Sequence, residues 1–205
     1  MPSFRLHWIP GAFAYRARGE RALRDAARAL RLTARLRRVT VVIRPRPGSD
    51  EAHVLWRRVG RRVDVRLVVD LGHFLTPAGR RALGRSGVPA TAVPARRYSD
   101  RGARAAFFHE LSHVADQVRR GIDCSVVPPR RWASFNEVWN VWIDGRLSRG
   151  GRPALRRGER LAAFDHTFGR RGRSRRRTLR VFDRLWRAHR LSQRDLLDAV
   201  EMLVG

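Results

Sequence analysis

Apolar residues in the first third of the chain change period partway along. Over residues 14–36 they recur at three- and four-residue spacing. Leu23, Ala26, Ala27, Leu30 and Ala34 share one stripe, with arginines on the rest, which predicts a helix. Gly19 weakens its first turn, so a start nearer Glu20 is favoured. The period then falls to two. Residues 38–44 are short and β-branched and end at Pro45 and Pro47-Gly48, predicting a strand. Residues 53–56 and 63–69 predict two more, with Gly60-Arg61 as a hairpin turn between them. The start of the chain, interrupted by Pro2 and Pro10-Gly11, reads as irregular.

Beyond residue 75 the pattern is helical. Thr76 caps a short helix through Leu83 with Pro77 at its first position, and a Pro/Gly-containing loop covers residues 87–94. Ser99 or Asp100 caps a longer helix that ends before Gly121, its core stripe being Phe107, Leu111, Val114, Ala115 and Val118. Ser134 opens the next helix, residues 135–147, stopped at Gly150-Gly151. Helical periods follow over 153–168, 179–189 and 193–203, the last capped by Ser192, with residues 170–177 as a basic loop. The order predicts an α+β fold, mostly helical, in one domain spanning 1–205.

Composition adds one constraint. The formal net charge is +27, and because the sequence contains no lysine all 45 basic residues are arginine. Such a surface attracts an acidic partner or nucleic acid, although charge alone names no function. Cys124 is the single cysteine, which excludes an intramolecular disulfide and a thiolate-rich zinc site. Residues 1–19 hold no long apolar run, so neither a signal peptide nor a membrane span is expected, and a cytoplasmic location is.

The chemistry concentrates at Phe107-Phe108-His109-Glu110-Leu111-Ser112-His113. Residues four apart on a helix share a face, so His109 and His113 can both ligate one Zn2+, and Glu110 is placed to act as general base. Catalytic zinc takes three protein ligands and leaves a position for water. The remaining histidines, His7, His53, His73, His166 and His189, show no ligand-like spacing to this pattern. On the following helix Glu137, Asn140 and Asp144 share a face. Ser134 and Glu137 have capping-box spacing, which gives Glu137 a competing structural role. Asp144 is therefore favoured as third ligand, with Glu137 the alternative. Arg146, Tyr98 and His73 are candidates to stabilise an oxyanion, and Asp116 could orient a ligand imidazole.

With an acid-bearing helix after the His-Glu-x-x-His helix, residues 98–148 resemble the zincin-type zinc metallopeptidases. Asn136-Glu137 matches the start of the gluzincin ligand segment, but Val141 stands where that branch carries an Asp. Trp139-Asn140 with Asp144-Gly145-Arg146 is similar to segments of small bacterial metallopeptidases of this type. The resemblance implies a zincin-like domain, a small N-terminal sheet whose edge strand can receive an extended peptide, and a peptide or protein substrate. Two other readings stand beside it: a basic nucleic-acid-binding protein, and an inactive zincin-like interaction module.

Overall fold

The computed structural model describes residues 4–46, 51–83, 94–169 and 174–204. The chain divides into two units, residues 1–114 and 115–205, with the boundary inside a helix.

In the first unit β1 (Arg5–Ile9), α1 (Arg16–Ala29), β2 (Leu36–Arg44), β3 (Ala52–Val59), β4 (Arg62–Asp70) and α2 (Pro77–Leu83) precede α3 (Asp100–Arg120). The four strands form one sheet in the order β1-β2-β4-β3. β1, β2 and β4 run parallel, and β3 returns antiparallel at the edge, with Val59 opposite Arg62 around Gly60. Gly60 has φ +59, a backbone conformation open to glycine at no steric cost.

The strand at the chain's start corrects the irregular reading of that segment. Only parallel pairing with β2 makes Arg5–Ile9 a strand, and a non-local partner leaves no mark in five residues carrying Arg5 and His7. The first helix is also shorter than its stripe predicts. Arg31 adopts φ +53 and ends the helical run, after which Leu36 starts β2.

Alternation along β2 buries Val39, Val41 and Ile43, and along β4 buries Val63, Val65 and Leu67. Trp8 stacks on Phe13 and meets Phe107 of α3 edge-on, and Phe74 contacts Phe13 and Phe107. Each such side chain contributes about 2–3 kcal/mol by burial. Trp8 also lies so close over α1 that a Cβ on Gly19 would meet its ring at 2.5 Å.

The second unit contains the end of α3, then α4 (Trp132–Arg149), α5 (Arg157–Phe168), α6 (Arg175–Arg187) and α7 (Gln193–Val204). α4 is its core, burying Phe135, Val138, Trp139, Val141, Trp142, Ile143 and Leu147 around most of its circumference. A helix apolar on nearly all sides packs on several neighbours, here α5, α6 and α7. The backbone of α6 approaches α4 at Gly145, where a Cβ would lie 2.2 Å from the Trp186 carbonyl oxygen. Among the described residues no helix is long and apolar enough to cross a membrane.

The α+β architecture, the small sheet before the motif helix and the helical C-terminal part agree with the sequence reading. α6 starts at Arg175, so the expected basic loop gives its last residues to a helix, and residues 170–173 lie outside the described residues. Most of the loop expected at 87–94 and the Pro47-Gly48 stop also lie outside them.

Candidate metal centre

α3 begins as its sequence predicts, with the Ser99 hydroxyl accepting from the Gly102 N–H at 3.0 Å. Gly102 is required there, because a Cβ would lie 2.2 Å from the His73 carbonyl oxygen. Phe107 and Leu111 are fully buried on one side of α3, which fixes the rotation of the helix about its axis. The opposite side, which carries His109 and His113, is also largely enclosed: His113 and the flanking Glu110 are each 6% exposed, and His109 is half-buried. The Ser112 hydroxyl is directed back into the helix, donating to the Phe108 carbonyl at 2.7 Å.

His109 and His113 face one another with ring centroids 5.1 Å apart and planes at 69°. An imidazole bonded to zinc at about 2.0–2.1 Å has its centroid about 3.2 Å from the metal, so two rings at a tetrahedral angle have centroids about 5 Å apart. The observed spacing matches that of a ligand pair. Among the described residues, however, no group of three or more His, Cys, Asp or Glu side chains is gathered to hold a metal ion. The other histidines are dispersed: His7 on β1, His53 on β3, His73 in a turn after β4, His166 on α5 and His189 beyond α6.

In the second unit the carboxylates of α4 converge on one arginine. Arg160 of α5 is 7% exposed and donates from Nε to Asp144 Oδ2 at 2.7 Å. Its Nη1 stands 3.4 Å from both oxygens of Glu137. Burial opposes the guanidinium charge, but Asp144 and Glu137 outweigh it and hold Arg160 above its ordinary pKa. Asp144 is fully buried, and the Asn140 amide lies 3.5 Å from Glu137 Oε2.

The capping box expected at Ser134 does not form. A 3-10 turn over Pro129–Arg131 delivers the chain into α4 at Trp132, so Ser134 lies inside the helix and Arg131 is its N-cap. Trp132 stacks on the buried Phe135, which favours the earlier start. Glu137 therefore does not take the capping role that set it behind Asp144. Gly145 likewise leaves no open space beside Asp144, since α6 fills it.

Asp116 is committed elsewhere. Arg146 donates to both of its oxygens at 2.8 and 2.7 Å, Arg120 approaches Oδ1 at 3.1 Å, and the Trp139 indole N–H donates to Oδ2 at 3.0 Å. Arg146 also stacks on Trp142 at 4.2 Å. Both termini of its guanidinium are thus occupied by Asp116. Tyr98 stacks on Tyr15, and burial pushes its phenol above its ordinary pKa. Arg160 is the residue sequence reasoning missed. Its trace is an arginine heading the buried stripe Arg160, Phe164, Phe168 at i, i+4, i+8.

Set beside known proteins, the chain matches no family model, no curated protein and no solved structure.

Proposed function

We propose that the protein is a zinc-dependent hydrolase acting on peptide bonds, with His109 and His113 as metal ligands and Glu110 as general base. The observation that carries this is the paired imidazoles at 5.1 Å on one helix, with a nearly buried carboxylate beside them. When bound, zinc supplies a Lewis acid and brings the pKa of a water near neutrality. Glu110 accepts a proton from the attacking water at a carboxylate oxygen and returns it to the leaving amine nitrogen.

For the third ligand the sequence offers two acids of α4, Asp144 and, as the alternative, Glu137. Both carboxylates lie against Arg160, Asp144 at 2.7 Å in full burial and Glu137 at 3.4 Å. Arg160 then acts as a positioning residue for these two acids. The peptide substrate rests on the zincin resemblance, with β3 as an edge strand able to pair with an extended chain.

The test is the metal content of purified protein by mass spectrometry, together with cleavage of a casein-derived peptide mixture. About one zinc per chain is expected. His109→Ala and His113→Ala should lose it, and Glu110→Gln should keep zinc and lose cleavage. Folded wild-type protein that takes up no zinc on titration would overturn the reading.

A further inference from the structure

α6 is the most polarised helix of the chain. Its buried side carries Thr178, Val181, Phe182, Leu185 and Trp186. Diametrically opposite, Arg176, Arg180, Arg184 and Arg187 are all exposed. At about 100° and 1.5 Å per residue they fall within an arc of about 80° and along about 16 Å of axis. Among the described residues none of the four side chains forms a hydrogen bond or an ion pair. Asp183 adjoins the stripe and is paired with Arg157 of α5, and Asp195 of α7 feels the charge of Arg184 only at longer range.

α1 shows that arginine abundance does not by itself produce this arrangement. There Arg16 pairs with Glu20 at 2.8 Å, Arg28 with Asp25 at 3.4 Å and Arg18 with Asp100 at 3.8 Å. On α6 the arginines instead stand at i, i+4, i+8 and i+11, three or four residues from the next, where like charges repel. The geometry points to a docking face for the phosphodiester backbone of a nucleic acid, one strand of which presents a phosphate about every 3.4 Å of axis. A duplex fits this face better than a membrane does. The apolar side of α6 is buried inward apart from the half-buried Leu179, and one flanking leucine is too little apolar surface to enter a lipid surface.

The test is fluorescence anisotropy with a labelled mixed-sequence 20-base-pair duplex DNA over a series of salt concentrations. Wild type should bind with log K falling against log salt at a slope steeper than about −3, as four neutralised phosphates require. Changing Arg176, Arg180, Arg184 and Arg187 to Gln should reduce that slope by about 3–4 and weaken binding at least about 30-fold in low salt. A control loses the same charge from exposed Arg5, Arg35, Arg61 and Arg66 and should weaken binding less than about 3-fold. Arg180→Glu separates binding from folding. It sets an acid one turn from both Arg176 and Arg184, so Tm should hold or rise while binding falls. Equal losses in the two quadruple variants would show a diffuse charge effect and overturn the inference. So would binding to phosphatidylserine vesicles that depends on these four arginines when duplex binding does not.

Discussion

Asp116 and Arg160 each organise a buried charge cluster in the helical unit, and the two clusters are built differently. Asp116 is one carboxylate surrounded by donors, with Arg146 on both oxygens at 2.7–2.8 Å and Arg120 and the Trp139 indole completing the set. Arg160 is one cation between two carboxylates, close to Asp144 at 2.7 Å and distant from Glu137 at 3.4 Å. The first geometry is that of a structural tie, in which each contact approaches its optimum distance. The second is uneven. A guanidinium anchored on one carboxylate by a short bond can still orient a second at longer range.

Removing Asp116 should have the largest effect on stability. Asp116→Ala leaves Arg146 and the Trp139 N–H without their acceptor in a buried site, and loss of about 3–5 kcal/mol is expected in urea denaturation. Zinc bound by the molecules that still fold should be unchanged in stoichiometry. A drop in zinc affinity larger than the change in folded fraction would break the division between the two clusters.

Arg160→Gln comes next. It removes the short bond from Arg160 to Asp144, so destabilisation of about 2–4 kcal/mol is expected, and zinc affinity should fall about 10–100-fold through loss of orientation at the α4 carboxylates. Arg160→Lys should recover part of the stability, but little of the affinity, because an ammonium cannot reach both carboxylates as a planar fork does. Recovery of both in parallel would make Arg160 a packing residue alone.

A direct comparison of the two candidate ligands sharpens the picture. If Glu137 is the ligand, Glu137→Gln should remove most of the zinc affinity, while Asp144→Asn should lose about 2–3 kcal/mol and act on zinc only as Arg160→Gln does. Isothermal titration with zinc and urea denaturation on the same samples would separate the two. If Asp144→Asn abolishes zinc binding and Glu137→Gln leaves it intact, the ligand is Asp144.

The sequence was readable where a local signal sufficed. Ser99, Thr76 and Ser192 cap the helices that their positions announce, and Gly60 turns the hairpin. What escaped depends on distant partners or on a stronger local signal nearby. β1 exists only beside β2, and Ser134 loses its cap role because Pro128-Pro129 and the Trp132–Phe135 stack start α4 early. Arg160 was one of 45 arginines until α5 packed against α4. The approach of His109 to His113 was legible because one helix holds both residues, whereas the third ligand of the proposed site would come from another element, where spacing along the chain says little.

The smallest expected effect tests whether the Asp116 cluster is redundant. Trp139→Phe removes one of the donors on Asp116 while keeping a ring of similar bulk among Phe135 and its neighbours. Arg146 and Arg120 still hold the carboxylate, so no charge is stranded and a loss of about 1–2 kcal/mol is expected, part of it from the smaller ring. Combined with Arg146→Gln the same substitution should cost more than the sum of the two singles, because of these donors Arg120 alone is then left on the buried carboxylate. A strictly additive double mutant would mean that Trp139 and Arg146 contribute to α4 packing separately, and that Asp116 is not the shared acceptor that ties them.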